Sequence, residues 1–293
     1  MPKTVEQGFN EFLSRLTPSA VESDAAKRHR RSIKNCLSSK LWVSRFFRTG
    51  SFGNGTSICG YSDVDYFAVT NMWRTYFTSS TVLRSFKKTL KRRFPKTQVK
   101  QSSPAVVISF GKDHSEITEI VPAIDTGKIK KGYHIYAMPD GKGQWMKTSP
   151  RAHNEWITQL NKKVGRKLKP LIRFVKAWKY YRNIPISSFY IEVQVSKYAQ
   201  DKDSINYSVD LRNILDIMLK RQLKTMRDPT GVTGYIYPCY TSAKKNAVLP
   251  KLHTASIQAE KAIVAEESGD ILKAFNDWNR LYNGNFPSYQ RGG

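Results

Sequence analysis

The sequence predicts an α/β protein in two parts, a mixed α/β half followed by a mostly helical half, with the change near residues 140–150. Three observations point there. Before Pro150, short apolar runs of the strand type alternate with amphipathic helical segments. After Pro150, almost every segment repeats its apolar residues at helical spacing. A hydrophobic fraction of 40% with 12% aromatics over 293 residues supports a substantial core rather than a disordered chain. The expected division is 1–145 for the mixed part, including the N-terminal helices, and 146–293 for the helical part.

In chain order, the first helix is expected near Thr4–Leu16, ending before Pro18. A second follows from about Ser19 to Lys40, where Val21, Ala25, Ile33, Cys36 and Leu37 make a buried stripe. "LWVSRFFRTGSF" reads as a short extended run into a Gly-rich turn, and "VDYFAVT" as a strand. "STVLRSFKKTLKRRF" reads as a basic helix capped by Ser80 or Thr81 and stopped before Pro95. "PAVVISF" and "SEITEIVPAI" are strands around "GKDH". Beyond Pro150 the helical segments are "SPRAHNEWITQLNKKVG", "KLKPLIRFVKAWKYYRN", "SSFYIEVQVSKYAQ", "SVDLRNILDIMLKRQL" and "LPKLHTASIQAEKAIVAEESGDILKAFNDWNRLY". There is no internal repeat and no low-complexity linker.

The formal net charge is +26, and it is concentrated. Residues 84–100 hold eight Lys or Arg and no acid, and residues 127–182 hold fifteen against Asp140 and Glu155. Such stretches suit a polyanionic partner, either nucleoside triphosphates or a long nucleic acid whose binding would fall steeply with salt. The plainer alternative is a solvated basic face. No run approaches the ~18 apolar residues of a membrane span, and the N-terminus is amphipathic rather than a signal peptide. The expectation is an unexported, cytoplasmic protein without a membrane partner. Cys36, Cys59 and Cys239 lack the spacing of a disulfide framework or a zinc site. His29, His114, His134, His153 and His253 are dispersed, so nothing supports Ser/His/Asp or Cys/His hydrolysis.

One stretch concentrates chemistry: "GSFGNGTSICGYSDVD", Gly50 to Asp65. Gly50 and Ser51 follow an extended run, and Gly53, Gly55 and Thr56 keep the turn open, so backbone N–H groups and hydroxyls can face a phosphate. On a strand, residues two apart share a face, which places the Asp63 and Asp65 carboxylates side by side. Two hard oxygen ligands beside a phosphate cradle suit Mg²⁺, with Mn²⁺ as a substitute. Two such ions can activate a hydroxyl and neutralise leaving pyrophosphate, which is nucleotidyl transfer. A Gly-rich turn or a DxD alone is weak; the ordered set leading into an apolar strand is specific. On the helical side, Lys169, Arg173, Lys176 and Lys179 would form a row of cations along one helix face, aimed at a phosphate tail. Trp178, Tyr180 and Tyr181, interleaved with them, read as core and stay outside the site.

"GSFGNGT" followed by "SDVDYFAV" resembles the signature of the polymerase-β-like nucleotidyltransferases. The later segments "EIVPAI", "SPRAHNEWITQLNKK", "LIRFVKAWK", "ISSFYIEV" and "ILKAFNDWNRLYNGNFPSY" are similar to the bacterial cyclic-oligonucleotide synthases called CD-NTases, or SMODS. The resemblance runs from about residue 30 to 290. It implies a mixed-sheet nucleotidyltransferase core with a long spine helix, and a C-terminal helical domain that closes the nucleotide cleft. It implies a third metal carboxylate at Glu119, where the family generally has Asp; Glu116 and Asp125 are the competitors, and position before "IVP" favours Glu119. It gives Lys176 and Ser188 as triphosphate contacts, beside Gly50, Ser51 and Thr56 as nucleotide-binding positions.

The activity implied is synthesis of a cyclic di- or trinucleotide second messenger from NTPs in bacterial anti-phage (CBASS) signalling, with a separate effector protein responding to the product. Ser188 leans towards purines by family analogy. Stretches 84–100 and 127–182 suggest an RNA or DNA activator. The alternatives are template-independent transfer to an RNA end or small molecule, and a nucleic-acid-binding relative that has lost catalysis.

Overall fold

The computed structural model describes residues 2–18, 24–61, 63–71, 77–111, 116–232, 234–239 and 241–290. Of the expected elements, the start of the second helix and the "KDH" of the "GKDH" turn lie outside these residues.

Helix α1 (Val5–Leu16) opens at Thr4, whose hydroxyl accepts from the Gln7 N–H, and buries Val5, Phe9, Phe12 and Leu16 along one stripe. Helix α2 (Asp24–Leu41) buries Ile33, Leu37 and Leu41. Strand β1 (Val43–Arg48), the short helix α3 (Gly50–Asn54) and strand β2 (Val64–Thr70) follow. Helix α4 (Ser79–Arg93) is capped by Thr78, which accepts from the Thr81 N–H, and not by Ser80 or Thr81. The cap falls earlier because Ser79 is already helical and buried. Then come β3 (Gln98–Ser102), β4 (Ala105–Phe110), β5 (Glu116–Lys130), β6 (Tyr133–Pro139) and β7 (Trp145–Thr148).

These strands form one mixed sheet in the order β1-β2-β5-β4-β3, with β6 on β5 and β7 on β6. The β2–β5 pair is parallel and the other pairs are antiparallel. The parallel pair sits at the centre, and β5 is long enough to serve β2 and β4 with its first part and β6 with its second. The two faces differ. On one, α2 and α4 bury Ile33, Leu37, Val82, Phe86 and Leu90 against Ala68, Ile108 and Ile120. On the other, Phe67, Val69, Ala123 and Tyr136 make a smaller apolar cluster. Period-2 alternation puts Asp65 and Glu119 on that second face.

The remaining elements are α5 (Pro150–Lys163), α6 (Leu168–Tyr181), α7 (Ser188–Ala199), α8 (Tyr207–Lys220), the short ribbon β8 (Met226–Arg227) and β9 (Tyr235–Ile236), α9 (Ser242–Glu267) and α10 (Ile271–Leu281). The last two read as one long helical segment in sequence. They separate at Gly269, whose φ of +80° is a left-handed conformation, and Asp270 caps α10 by accepting from the Lys273 N–H.

The chain divides into two compact units that interleave in sequence. One comprises residues 19–55 and 62–155 and carries the sheet; the other comprises 1–18, 56–61 and 156–293. Two pieces expected with the sheet therefore belong to the helical unit, α1 and residues 56–61. The reason is packing: Phe9 and Phe12 stack into Phe174, Trp278, Tyr282 and Phe286, an aromatic core whose other members come from α6, α10 and the C-terminal segment.

Candidate active site

In the sheet unit, the Gly-rich stretch and the acids are brought together by strand pairing. The Thr49 N–H donates to the Asp65 carbonyl at 2.9 Å, carrying the β1–β2 ladder one residue past β1. Gly50 then turns with φ of +58°, and a Cβ there would lie 1.8 Å from Asp65 Oδ2. Only glycine permits both the backbone angle and the closeness of the carboxylate. The segment expected as an open turn is instead the single-turn helix α3, closed at Gly55 in the left-handed region. Ser51 lies half-buried in its first turn, where backbone N–H groups have no acceptor inside the helix. We expect Gly50→Ala to fold and yet lose at least about 10²-fold in turnover, because the added methyl must displace the Asp65 carboxylate. Circular dichroism beside an activity assay checks this.

Asp65 on β2 is the register partner of Glu119 on β5, so the two carboxyl groups emerge from adjacent central strands. Asp63 immediately precedes β2. The pKa of Glu119 is raised above its ordinary value, first by burial and then by the nearby Asp63 charge, while a hydrogen bond with Asp65 offsets part of the rise. Asp63 thus repels Glu119, while Asp65 shares a hydrogen bond with it. Among the described residues, no three His, Cys, Asp or Glu side chains stand in a ready metal-coordinating arrangement. A set of hard oxygen donors with surplus negative charge, one of them driven towards its protonated form, nevertheless fits a divalent cation, which relieves that repulsion.

The competing acids are engaged elsewhere. Glu116 lies 3.1 Å from His29 Nδ1, and that imidazole stacks on Phe110. Asp125 pairs with Arg45 and lies 3.6 Å from His134. Glu119 alone of the three neighbours the DxD.

In the helical unit, two of the expected nucleotide contacts take a different role. Lys176 is completely buried. Its ammonium donates to Glu192 of α7, to Thr56 Oγ1 at 3.1 Å and to the Thr56 carbonyl at 3.3 Å. The Thr56 hydroxyl in turn donates to Glu192 at 2.5 Å. As folded, neither Lys176 nor Thr56 offers a surface to an incoming triphosphate. A lysine with no access to solvent needs a carboxylate partner, and α7 supplies one. With Arg173 Nε donating to the Ser57 carbonyl at 3.0 Å and the Cys59 N–H to the Leu16 carbonyl at 2.9 Å, these groups anchor residues 56–61. Of the row of cations on α6, Arg173 and Lys176 hold this segment, whereas Lys169 lies 3.4 Å from Thr158 of α5 and Lys179 bonds Ser188. Burial lowers the pKa of both Arg173 and Lys169, and for Lys169 the neighbouring Arg173 charge adds to the effect.

Ser188, the first residue of α7, is half-buried beside a cation and a phenol. Lys179 Nζ donates to its Oγ at 2.5 Å, and the Tyr180 hydroxyl lies 3.4 Å away. The Lys179 ammonium also stands 4.7 Å from the Tyr180 ring centroid. Tyr61 stacks on Tyr180 at 5.3 Å and meets Tyr181 edge-on at 5.5 Å. Tyr61, Lys179, Tyr180, Asn183, Ile184 and Pro185 line a cavity of about 270 Å³. Only Trp178 of the interleaved aromatics is core; Tyr180 and Tyr181 are half-buried. The available signal was Tyr61 itself, an aromatic placed between the "GT" and "DVD" of the motif.

Residues 3–161, more than half of the chain, match the family described as Second Messenger Oligonucleotide or Dinucleotide Synthetase domain, SMODS. The chain belongs to this family. It is thereby a nucleotidyltransferase, of the CD-NTase group that the motifs indicated.

Two curated relatives extend the comparison. A probable cyclic nucleotide synthase of Bacillus cereus is 29% identical over 202 residues, 68% of this chain and 60% of the relative's length. A cyclic AMP-AMP-AMP synthase of Acinetobacter is 25% identical over 97% of this chain and 86% of its own length. Among solved structures, Escherichia coli CdnC with ATP superposes with a TM-score of 0.74 at 17% identity, covering 97% of this chain and 99% of that one. Vibrio cholerae DncV, a cyclic AMP-GMP synthase holding the linear intermediate pppA(3′,5′)pG, gives 0.67 at 13% identity over 97% and 86%. At these identities the structures establish the fold: a mixed sheet with helices and a C-terminal helical region.

Proposed function

We propose that this SMODS protein joins nucleoside triphosphates into a cyclic di- or trinucleotide. The observation that carries the proposal is the pairing of Asp65 with Glu119 on the central parallel strands, beside Asp63 and against a Gly50 that leaves room for the carboxylate.

In each step a 2′- or 3′-hydroxyl oxygen bonds to the α-phosphorus of a triphosphate. The bond from that phosphorus to the β-phosphate's bridging oxygen breaks, pyrophosphate leaves, and the hydroxyl proton passes to a base. A final intramolecular step of the same kind closes the ring. Asp63, Asp65 and Glu119 would hold Mg²⁺, for which Mn²⁺ can substitute. When bound, the ion supplies charge neutralisation at the phosphates and acidifies the attacking hydroxyl. The protein's own groups do the positioning. In the sheet unit, Ser51 at the first turn of α3 would take phosphate oxygens by hydrogen bonding; in the helical unit, Ser188 with Lys179 offers a hydroxyl and a cation to phosphate. Tyr61 and Tyr180 offer ring faces for a base. Catalysis of this type is mostly orientation and electrostatics.

Purines are the favoured bases, Ser188 being the residue behind that preference. The role that fits is anti-phage (CBASS) signalling in the bacterial cytoplasm, with a separate effector answering the cyclic product. None of the described helices is long and apolar enough to cross a membrane.

The test is incubation with all four radiolabelled NTPs and Mg²⁺, followed by phosphatase. The expected result is label in phosphatase-resistant product with no RNA added. Label appearing only on added RNA ends would replace this reading with end-directed transfer, and no incorporation under any condition would overturn it.

A further inference from the structure

A cavity of about 270 Å³ lies within the helical unit, where the end of α6 meets the middle of α9 and the end of α10. It shares no residue with the three carboxylates or with α3. Its apolar wall comes from Trp178, Ile184 and Leu281, all buried. Among the described residues, three cations stand around it, Arg182, Lys251 and Arg280, and no acid lines it. Structural duties take only part of this charge. Arg182 donates through Nε to the Leu281 carbonyl at 3.2 Å and through a terminal nitrogen to the Arg280 carbonyl, which caps the C-terminal end of α10. Arg280 meets Asp277 through Nη1, at 3.3 Å. Lys251, exposed on α9, has no hydrogen bond or ion pair among the described residues. Gln258 completes the lining, and its Oε1 is buried without a hydrogen-bond partner. An acceptor withdrawn from water and left unpaired is costly, and a ligand that donates to it removes the penalty.

We propose that this cavity binds a small organic oxyanion: a carboxylate or a phosphate monoester on a flat apolar body that carries one N–H or O–H donor. Each part of that ligand answers a feature of the wall. The oxyanion meets Lys251 and the unspent N–H groups of Arg182 and Arg280, whose planar guanidinium groups suit two-oxygen recognition. The apolar body rests on Ile184 and Leu281, and its donor serves Gln258 Oε1. A cationic ligand would meet three like charges and no acid. An extended polyanion would touch only the rim and leave both the apolar wall and Gln258 unused. The volume falls just below the ~300 Å³ at which sites for drug-sized ligands begin, so the ligand is small.

The test is binding without nucleotide, so it stands whether or not the chain makes a cyclic product. The full chain is titrated by calorimetry with indole-3-acetate and with 3-indolyl phosphate, each of which joins a flat apolar ring, a ring N–H and an oxyanion. Saturable binding of at least one, with Kd of about 1 mM or below, is expected. The tighter of the two identifies the head group. Tryptamine, which carries a cation on the same ring, should bind at least about tenfold more weakly. Lys251→Glu should weaken the anion by at least about tenfold. Lys261→Glu, also exposed and about 15 Å further along α9, lies beyond the ~10 Å screening length and should leave affinity within about threefold. Wild type should prefer indole-3-acetate to its N-methyl analogue, which lacks the ring donor, and Gln258→Leu should erase that preference. No saturable binding of either anion, tryptamine binding as well as the acids, equal losses from Lys251→Glu and Lys261→Glu, or a donor preference that survives Gln258→Leu would each overturn the proposal.

Discussion

Replacing Asp63 and Asp65 together with Asn should lower product formation by at least about 10³-fold, the scale on which charge-stabilising groups act in phosphoryl transfer. The chain should still fold, since both acids are half-buried and Asn keeps their size. Retained synthesis would remove the carboxylates from the reaction. A second readout needs no turnover. Glu119 is raised above its ordinary value by burial and by Asp63, so the folded chain binds a proton that the unfolded chain releases. Stability without metal therefore falls as pH rises from the usual carboxylate value of 4.5 through the raised one. A divalent cation held by the same acids offsets that loss. Mg²⁺ should thus raise the melting temperature more at neutral pH than near the ordinary carboxylate value of 4.5, and the double Asn variant should lose the difference. An equal increment at both pH values, or one surviving in the variant, would place the ion elsewhere.

The second large effect is at Lys176. Lys176→Met takes away the ammonium that meets the buried Glu192 carboxylate, which costs about 3–5 kcal/mol in comparable pairs. Adding Glu192→Gln removes the uncompensated charge and keeps an acceptor for Thr56, so the double variant should recover at least half of the loss in urea unfolding. The kinetic signature separates two roles. If the pair anchors residues 56–61, the double variant should show reduced kcat with KM close to wild type, because the segment connecting Gly55 to the DxD loses its support. A large rise in KM with kcat unchanged would return Lys176 to the triphosphate.

These residues also show what was legible in the sequence. The DxD needs only local information: residues two apart on an extended run share a face whatever the rest of the chain does. Gly50 was legible as a turn, but its reason, the Asp65 carboxylate 1.8 Å from a would-be Cβ, is a contact across a strand pair. The helices after Pro150 were recoverable because their apolar spacing is strong. Strand β3 was not, since as an edge strand it exposes every residue except Val99 and so lacks a regular alternation. Strands β6 and β7 were hidden inside a stretch read only for its charge, where Lys and Gly interrupt the apolar pattern.

The sequence by itself determined the DxD beside its Gly-rich stretch, the order of the two halves and the sign of the charge, because each rests on residue type and short-range spacing. Tertiary structure alone decided three matters. It put Glu119 in register with Asp65 and gave Glu116 and Asp125 partners of their own. It turned Lys176 and Thr56 from expected phosphate ligands into a buried anchor, because Glu192 lies sixteen residues beyond Lys176 and meets it only when α6 packs on α7. It set the basic helix α4 on the sheet face opposite the acids. Burial, strand register and helix packing bring together residues far apart in the chain, and no local pattern encodes which ones will meet.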